Sequence, residues 1–110
     1  MIDNITYAEV KLTLIQVIEE CIRLSHTGLK VGITAPRQYV SSILSKIFDM
    51  YDIIGLDDSI PVGKGSLFVL GDSIEKINKS KLDIVFCERD SIIGRNSLPL
   101  LGGLRMIRVV

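Results

Sequence analysis

Near the start of the chain, apolar residues recur at three- and four-residue steps: Val10, Leu14, Val17, Ile18, Cys21 and Leu24, with Glu9, Lys11, Gln16, Glu19, Glu20 and Arg23 between them. A period near that of the α-helix puts these apolar residues on one side, so residues 6–24 read as an amphipathic helix. Asn4 and Thr6 each offer a side-chain oxygen to the free amides of a first turn. Gly28 stands where helices commonly end, which predicts a stop near His26.

The period then changes. Residues 29–34 form a short apolar run that reads as a buried strand, and Pro36 breaks the pattern before a second helix over residues 38–51. That helix carries Val40, Ile43, Leu44, Ile47, Phe48 and Tyr51 on one face. Residues 53–65 are irregular and read mostly as loop, with a short strand at 53–55. Residues 66–70 are a continuous apolar strand, Gly71, Asp72 and Ser73 turn and cap, and residues 74–79 read as a short helix. A further strand covers residues 82–87, a loop carries Gly94, Asn96, Pro99, Gly102 and Gly103, and residues 105–110 read as a last strand.

Strands that alternate with helices, several of them apolar throughout, predict an α/β fold. The expectation is a small three-layer sandwich with a mostly parallel sheet of about four to five strands, covered on both faces. The chain of 110 residues suits a single domain, residues 1–110. Its 47% hydrophobic content is enough for a packed core and excludes a disordered segment.

Charge narrows the partners. Thirteen basic residues balance thirteen acidic ones, so no global field draws the chain onto nucleic acid or an anionic membrane. No apolar run approaches the ~20 residues of a membrane span, and Met1-Ile2-Asp3-Asn4 lacks the basic region of a secretion signal. A cytoplasmic location is the expectation, in the host cell if the chain is viral. Cys21 and Cys87 sit in apolar stretches where cysteine behaves as a small hydrophobe. With His26 the one histidine and no paired cysteines, a zinc site has no ligand set. His26 beside a helix end reads as a cap.

In open α/β sheets ligands bind beyond the carboxyl ends of the strands, which directs attention to residues 34–38, 71–73 and 88–90. Thr34-Ala35-Pro36-Arg37-Gln38-Tyr39-Val40-Ser41-Ser42 lies between a strand and a helix, as a phosphate-binding loop does. Read by itself it is also an ordinary turn. Gly63-Lys64-Gly65-Ser66 imitates part of such a loop but precedes a strand and lacks the upstream glycine, so it reads as a hairpin-like turn. Glu88, Arg89 and Asp90 form a charged group at a strand end that could be a polar site and reads more readily as a solvated surface ion cluster. Cys87 beside Glu88 is a poor nucleophile, because a neighbouring carboxylate disfavours the thiolate.

Ala35-Pro36-Arg37-Gln38 resembles the opening of the phosphate loop in the large subunit of viral DNA-packaging terminases, where it continues as Ser-Gly-Lys-Ser or Ser-Gly-Lys-Thr. The stretch from Lys64 to Ser73 is similar to that family's Gly-Ser-hydrophobic strand and turn, and Leu82-Asp83-Ile84-Val85-Phe86-Cys87-Glu88-Arg89 stands where its hydrophobic strand ends in Asp-Glu. The resemblance spans about residues 5–110 and implies a P-loop-NTPase-like fold with Thr34, Ala35, Pro36, Arg37, Gln38, Ser41, Ser42, Glu88 and Arg89 at a degenerate nucleotide site.

The departures are chemical. Val40 replaces the loop glycine and Ser41 the phosphate-gripping lysine, while Ser42 keeps the hydroxyl that would face magnesium. Glu88 replaces the metal-organising aspartate and Arg89 the glutamate that orients water; a one-residue shift would instead use Cys87 and Glu88. The resemblance therefore implies a decayed ATPase core with no catalytic residue, cofactor or metal. The expected partner is a protein, a second copy of the chain included, with no membrane. The alternative is a nucleic-acid-binding accessory domain that uses Lys64, Arg95 and Arg105, joined by Arg37, Lys76, Lys79, Lys81 and Arg108 if they converge on one face.

Overall fold

The computed structural model describes residues 6–51, 59–91 and 105–110. In chain order the elements are β1 (Thr6–Val10), α1 (Leu14–His26), β2 (Lys30–Ala35), α2 (Arg37–Met50), β3 (Ser59–Val62), β4 (Gly65–Gly71), α3 (Ile74–Ser80), β5 (Ile84–Cys87) and β6 (Arg105–Val109). The strands form one sheet in the order β1-β6-β5-β2-β4-β3. It is a mixed sheet of six strands and not the mostly parallel sheet of four or five that the pattern predicts. β1, β6, β5, β2 and β4 run parallel, and β3 joins β4 in the antiparallel sense.

The two added strands are β1 and β3. Residues 6–10 were expected inside the first helix, and they pair instead with β6 in register Thr6↔Arg105 to Val10↔Val109. A ladder to a strand almost a whole chain away outweighs the helical spacing of Val10 and Leu14. The helix begins only after Thr13, whose side chain accepts from the Gln16 amide at 3.2 Å while Gln16 Oε1 accepts from the Thr13 amide at 2.9 Å. This reciprocal capping box fixes the start at Leu14, in place of the expected caps Asn4 or Thr6. The expected stop at His26 is where α1 ends.

β3 lies in the stretch expected as loop. It turns into β4 through Gly63 and Lys64, with Val62 opposite Gly65. Gly63 has φ +57°, the positive value that a two-residue hairpin demands at its first central position. The hairpin-like turn read from the sequence is therefore present, and Pro61 is tolerated because β3 is an edge strand. The short strand expected at 53–55 and the loop carrying Gly94 to Gly103 lie outside the described residues.

Alternate residues of the strands feed two separate cores. Val31, Ile33 and Ala35 of β2, Leu67 and Val69 of β4, Ile84 and Phe86 of β5 and Val109 of β6 pack with Val17, Ile18, Cys21 and Ile22 of α1 and Ile43 and Ile47 of α2. On the other face Leu70, Val85, Cys87 and Met106 pack with Ile77 of α3 and Leu82. The placement follows from chain direction: β1 to β2 and β2 to β4 step one way across the sheet, whereas β4 to β5 steps back. Crossovers of one hand then carry α1 and α2 to one face and α3 to the other. Helices on both faces give the three layers that were expected, and β5 is buried throughout, as a strand covered on both sides must be.

Candidate functional site

The parallel strands deliver their carboxyl ends to one edge of the sheet. There β2 passes to α2, β4 to α3 and β5 to the turn at Arg89 and Asp90. Because α2 and α3 lie on opposite faces, the connections from β2 and β4 diverge, which is the arrangement that opens a crevice in α/β sheets. A cavity of about 650 Å³ occupies it, lined by Arg37, Val40, Ser41, Leu44, Gly71, Asp72, Ser73 and Lys76.

β2 ends at Ala35 and α2 begins at Arg37, so Pro36 is the whole connection between them. Pro36 occupies the cap position and supplies no side-chain hydrogen bond. Arg37, Gln38, Ser41 and Ser42 are helical residues with exposed side chains, and Thr34 and Ala35 are buried in the strand. A phosphate-cradling loop needs several backbone amides wrapped around the anion between strand and helix. Here one residue without an N–H fills that interval.

The second half of the sequence-derived site faces elsewhere. Glu88 and Arg89 line a different cavity of about 560 Å³, together with Lys11, Leu12, Thr13, Leu14, Gln16, Val17, Ile33, Val109 and Val110. Glu88 adjoins β2 through its backbone, its amide donating to the Thr34 carbonyl at 2.8 Å, but its carboxylate Oε2 accepts from the Asp90 amide at 2.9 Å. The hydroxyls of Ser41 and Ser42 and the acidic end of β5 are thus not gathered about one cavity.

At the carboxyl ends of β2 and β4 lies a hydrogen-bonded group that no motif foretold. Ser91, 1% exposed, donates from Oγ to Asp72 Oδ1 at 2.6 Å and lies 3.3 Å from Thr34 Oγ1, itself fully buried. Since the one Ser91 proton goes to the carboxylate, Thr34 donates to Ser91. Outside this group, Tyr39 donates to Asp90 Oδ2 at 3.1 Å and ties the start of α2 to the β5 turn. That acceptor carboxylate holds the Tyr39 hydroxyl above its usual range. Cys87 is buried beside Thr34. Burial pushes its thiol up to about 11; the Thr34 hydroxyl and Arg108 oppose that, and the Asp72 charge adds to it. The raised value keeps the thiol protonated at neutral pH, and its main cause is burial and not the Glu88 that the sequence pointed to.

The remaining basic candidates are dispersed. Arg37 and Lys76 share the crevice at the carboxyl ends. Lys64 sits in the β3–β4 turn and Arg105 opens β6, both at the other end of the sheet, and Arg95 lies outside the described residues. Lys79 and Lys81 are exposed at the end of α3, and Arg108 lies on β6 opposite Cys87. Among the described residues no group of histidine, cysteine, aspartate and glutamate could hold a metal ion. Nor is any described helix long and apolar enough to cross a membrane. No family model, curated protein or solved structure matches the chain.

Proposed function

We propose that the chain is a non-catalytic binding protein, encoded by a virus or mobile element, that keeps the outline of a nucleotide-hydrolysing domain and acts through contacts with a protein partner. One observation carries this reading: the passage from β2 to α2 consists of Pro36 alone. Without a loop there are no convergent amides for a β or γ phosphate, and Val40 and Ser41 supply neither the open backbone nor the ammonium group that phosphoryl transfer uses. Arg89 at the end of β5 brings a cation where a water-orienting carboxylate would be needed. The terminase-like order of motifs is, on this reading, a kinship of fold that has outlived the reaction.

The purified chain titrated with ATP and magnesium should show no saturable heat and no release of inorganic phosphate, and Ser42→Ala should change neither result. Turnover that Ser42→Ala abolishes would overturn the proposal. The alternative of a nucleic-acid accessory domain predicts affinity that falls steeply with added salt. The separation of Arg37 and Lys76 from Lys64 and Arg105 gives it less support than a single basic face would.

A further inference from the structure

The cavity of about 560 Å³ beneath the start of α1 has an apolar lining that the reading above does not use. Its size lies within the range of small-molecule sites, roughly 300–1,000 Å³. Its position beyond the carboxyl ends of β1, β5 and β6 is where α/β sheets take ligands. Leu12, Leu14, Val17, Ile33 and Val109 make the lining apolar, and Val17 and Ile33 are core residues.

The polar groups of the lining divide into committed and uncommitted ones. Thr13 and Gln16 are occupied with each other's amides in the capping box. The Glu88 carboxylate accepts from the Asp90 amide, and its charge, which also lines the cavity, leaves the Lys11 and Arg89 pair in excess. Lys11 and Arg89 are exposed at the rim, and among the described residues neither has a hydrogen-bonding or ion-pair partner. Two uncommitted cations at the mouth of an apolar cavity match a molecule with a hydrocarbon body and one anionic end.

From this arrangement we infer that the chain binds a small amphiphilic carboxylate, its alkyl or aromatic body against Leu12, Leu14, Val17, Ile33 and Val109 and its anionic group between Lys11 and Arg89. The site draws on the β1–α1 connection, α1, β2, β6 and the turn after β5, and apart from Glu88 and Arg89 it shares no residue with the degenerate nucleotide site, so it can be tested apart from the proposed protein-contact role.

Decanoate is a suitable probe, with decan-1-ol as its neutral counterpart, in calorimetric titration of the whole chain. Decanoate should bind at one site per chain, about two- to fivefold more weakly to Lys11→Gln or Arg89→Gln, and decan-1-ol should bind more weakly than decanoate by at least as much. The double variant should lose more than either single change, roughly four- to twentyfold. Lys46→Gln, an exposed change on α2, should leave binding as it is. Both rim changes are at exposed side chains, and circular dichroism of each variant is to be compared with the wild type to check that it folds. Amide shifts in an NMR titration should concentrate at Leu12, Val17, Ile33 and Val110. Equal binding of alcohol and carboxylate, or a double variant that binds like the wild type, would overturn the inference. So would an absence of saturable binding, or shifts spread over the whole surface.

Discussion

A methyl group added at Gly65 tests the packing of the β3–β4 hairpin against the end of α1. An alanine Cβ there would press into the carbonyl oxygens of Leu29 and Ser25 and lie 3.0 Å from the Gly28 carbonyl carbon. None of these is the end of a flexible side chain. The Leu29 carbonyl accepts from the Ser66 amide at 3.2 Å, and the Ser25 carbonyl accepts from the Gly28 amide at 3.0 Å. To admit the methyl the backbone must move and loosen both bonds, at about 0.5–1.5 kcal/mol each. Overpacking adds about 1–3 kcal/mol, and the reduced freedom of the unfolded chain returns at most about 1 kcal/mol. The net expectation is a loss of about 1–6 kcal/mol, with a centre of about 3 kcal/mol that corresponds to on the order of 10 °C in Tm for a chain of this size. Gly32→Ala is the matched control. Its new methyl meets the end of the Leu82 side chain and no backbone atom, so the cost should be smaller, at the lower end of the about 1–3 kcal/mol of overpacking. Urea unfolding followed by circular dichroism reads both values. A Gly65→Ala protein within about 0.5 kcal/mol of the wild type would refute the packing described for this corner.

Three further outcomes can be checked in the same way. Thr13→Ala removes the capping box that starts α1 and should cost about 1 kcal/mol in urea unfolding. Ser91→Ala withdraws a buried hydroxyl from both Asp72 and Thr34 and should cost about 1–3 kcal/mol. The Cys87 thiol, raised in the folded chain from 9.0 to about 11, is held protonated more tightly in the native state than in the unfolded one. Its contribution, about 2–3 kcal/mol, is therefore complete below pH 9 and lost as pH rises through 11. The difference in stability between the wild type and Cys87→Ala should shrink across that window, and a constant difference would sink the assignment.

The elements read best from the sequence were those whose signals are local. Ser73 caps α3 because its oxygen reaches the Lys76 amide, three residues on, and Gly63 turns the hairpin through its own φ. Pro36 separates β2 from α2 as its missing amide predicts. What could not be read depended on distant partners. β1 is a strand because of β6, and its residues fit a helix equally well when read alone. β3 contains Pro61, which argues against a strand until the position at the edge of the sheet is known. The T-x-x-Q box at Thr13 was present as a signal and was masked by the longer hydrophobic period around it.

The candidate site divided along the same line. The rule that ligands meet the carboxyl ends of strands located Thr34, Asp72 and Glu88. It could not show that Arg37 and Arg89 would open on different cavities, because that depends on which face receives each helix. Ser91 carried no signal, since a lone serine becomes a buried link only when Thr34 and Asp72 arrive from other strands.

The strand order has a consequence for how the chain is made. Every ladder except β5 with β6 joins a strand made before the Gly63 turn to one made after it. β1, β2 and β3 are never neighbours, so a chain emerging from the ribosome has no pairing among these strands to form until β4 follows. The first ladder open to it is the β3–β4 hairpin, and β2 then finds its place beside β4. Among the described strands β1 has to wait for β6, made almost a hundred residues later, before it can dock.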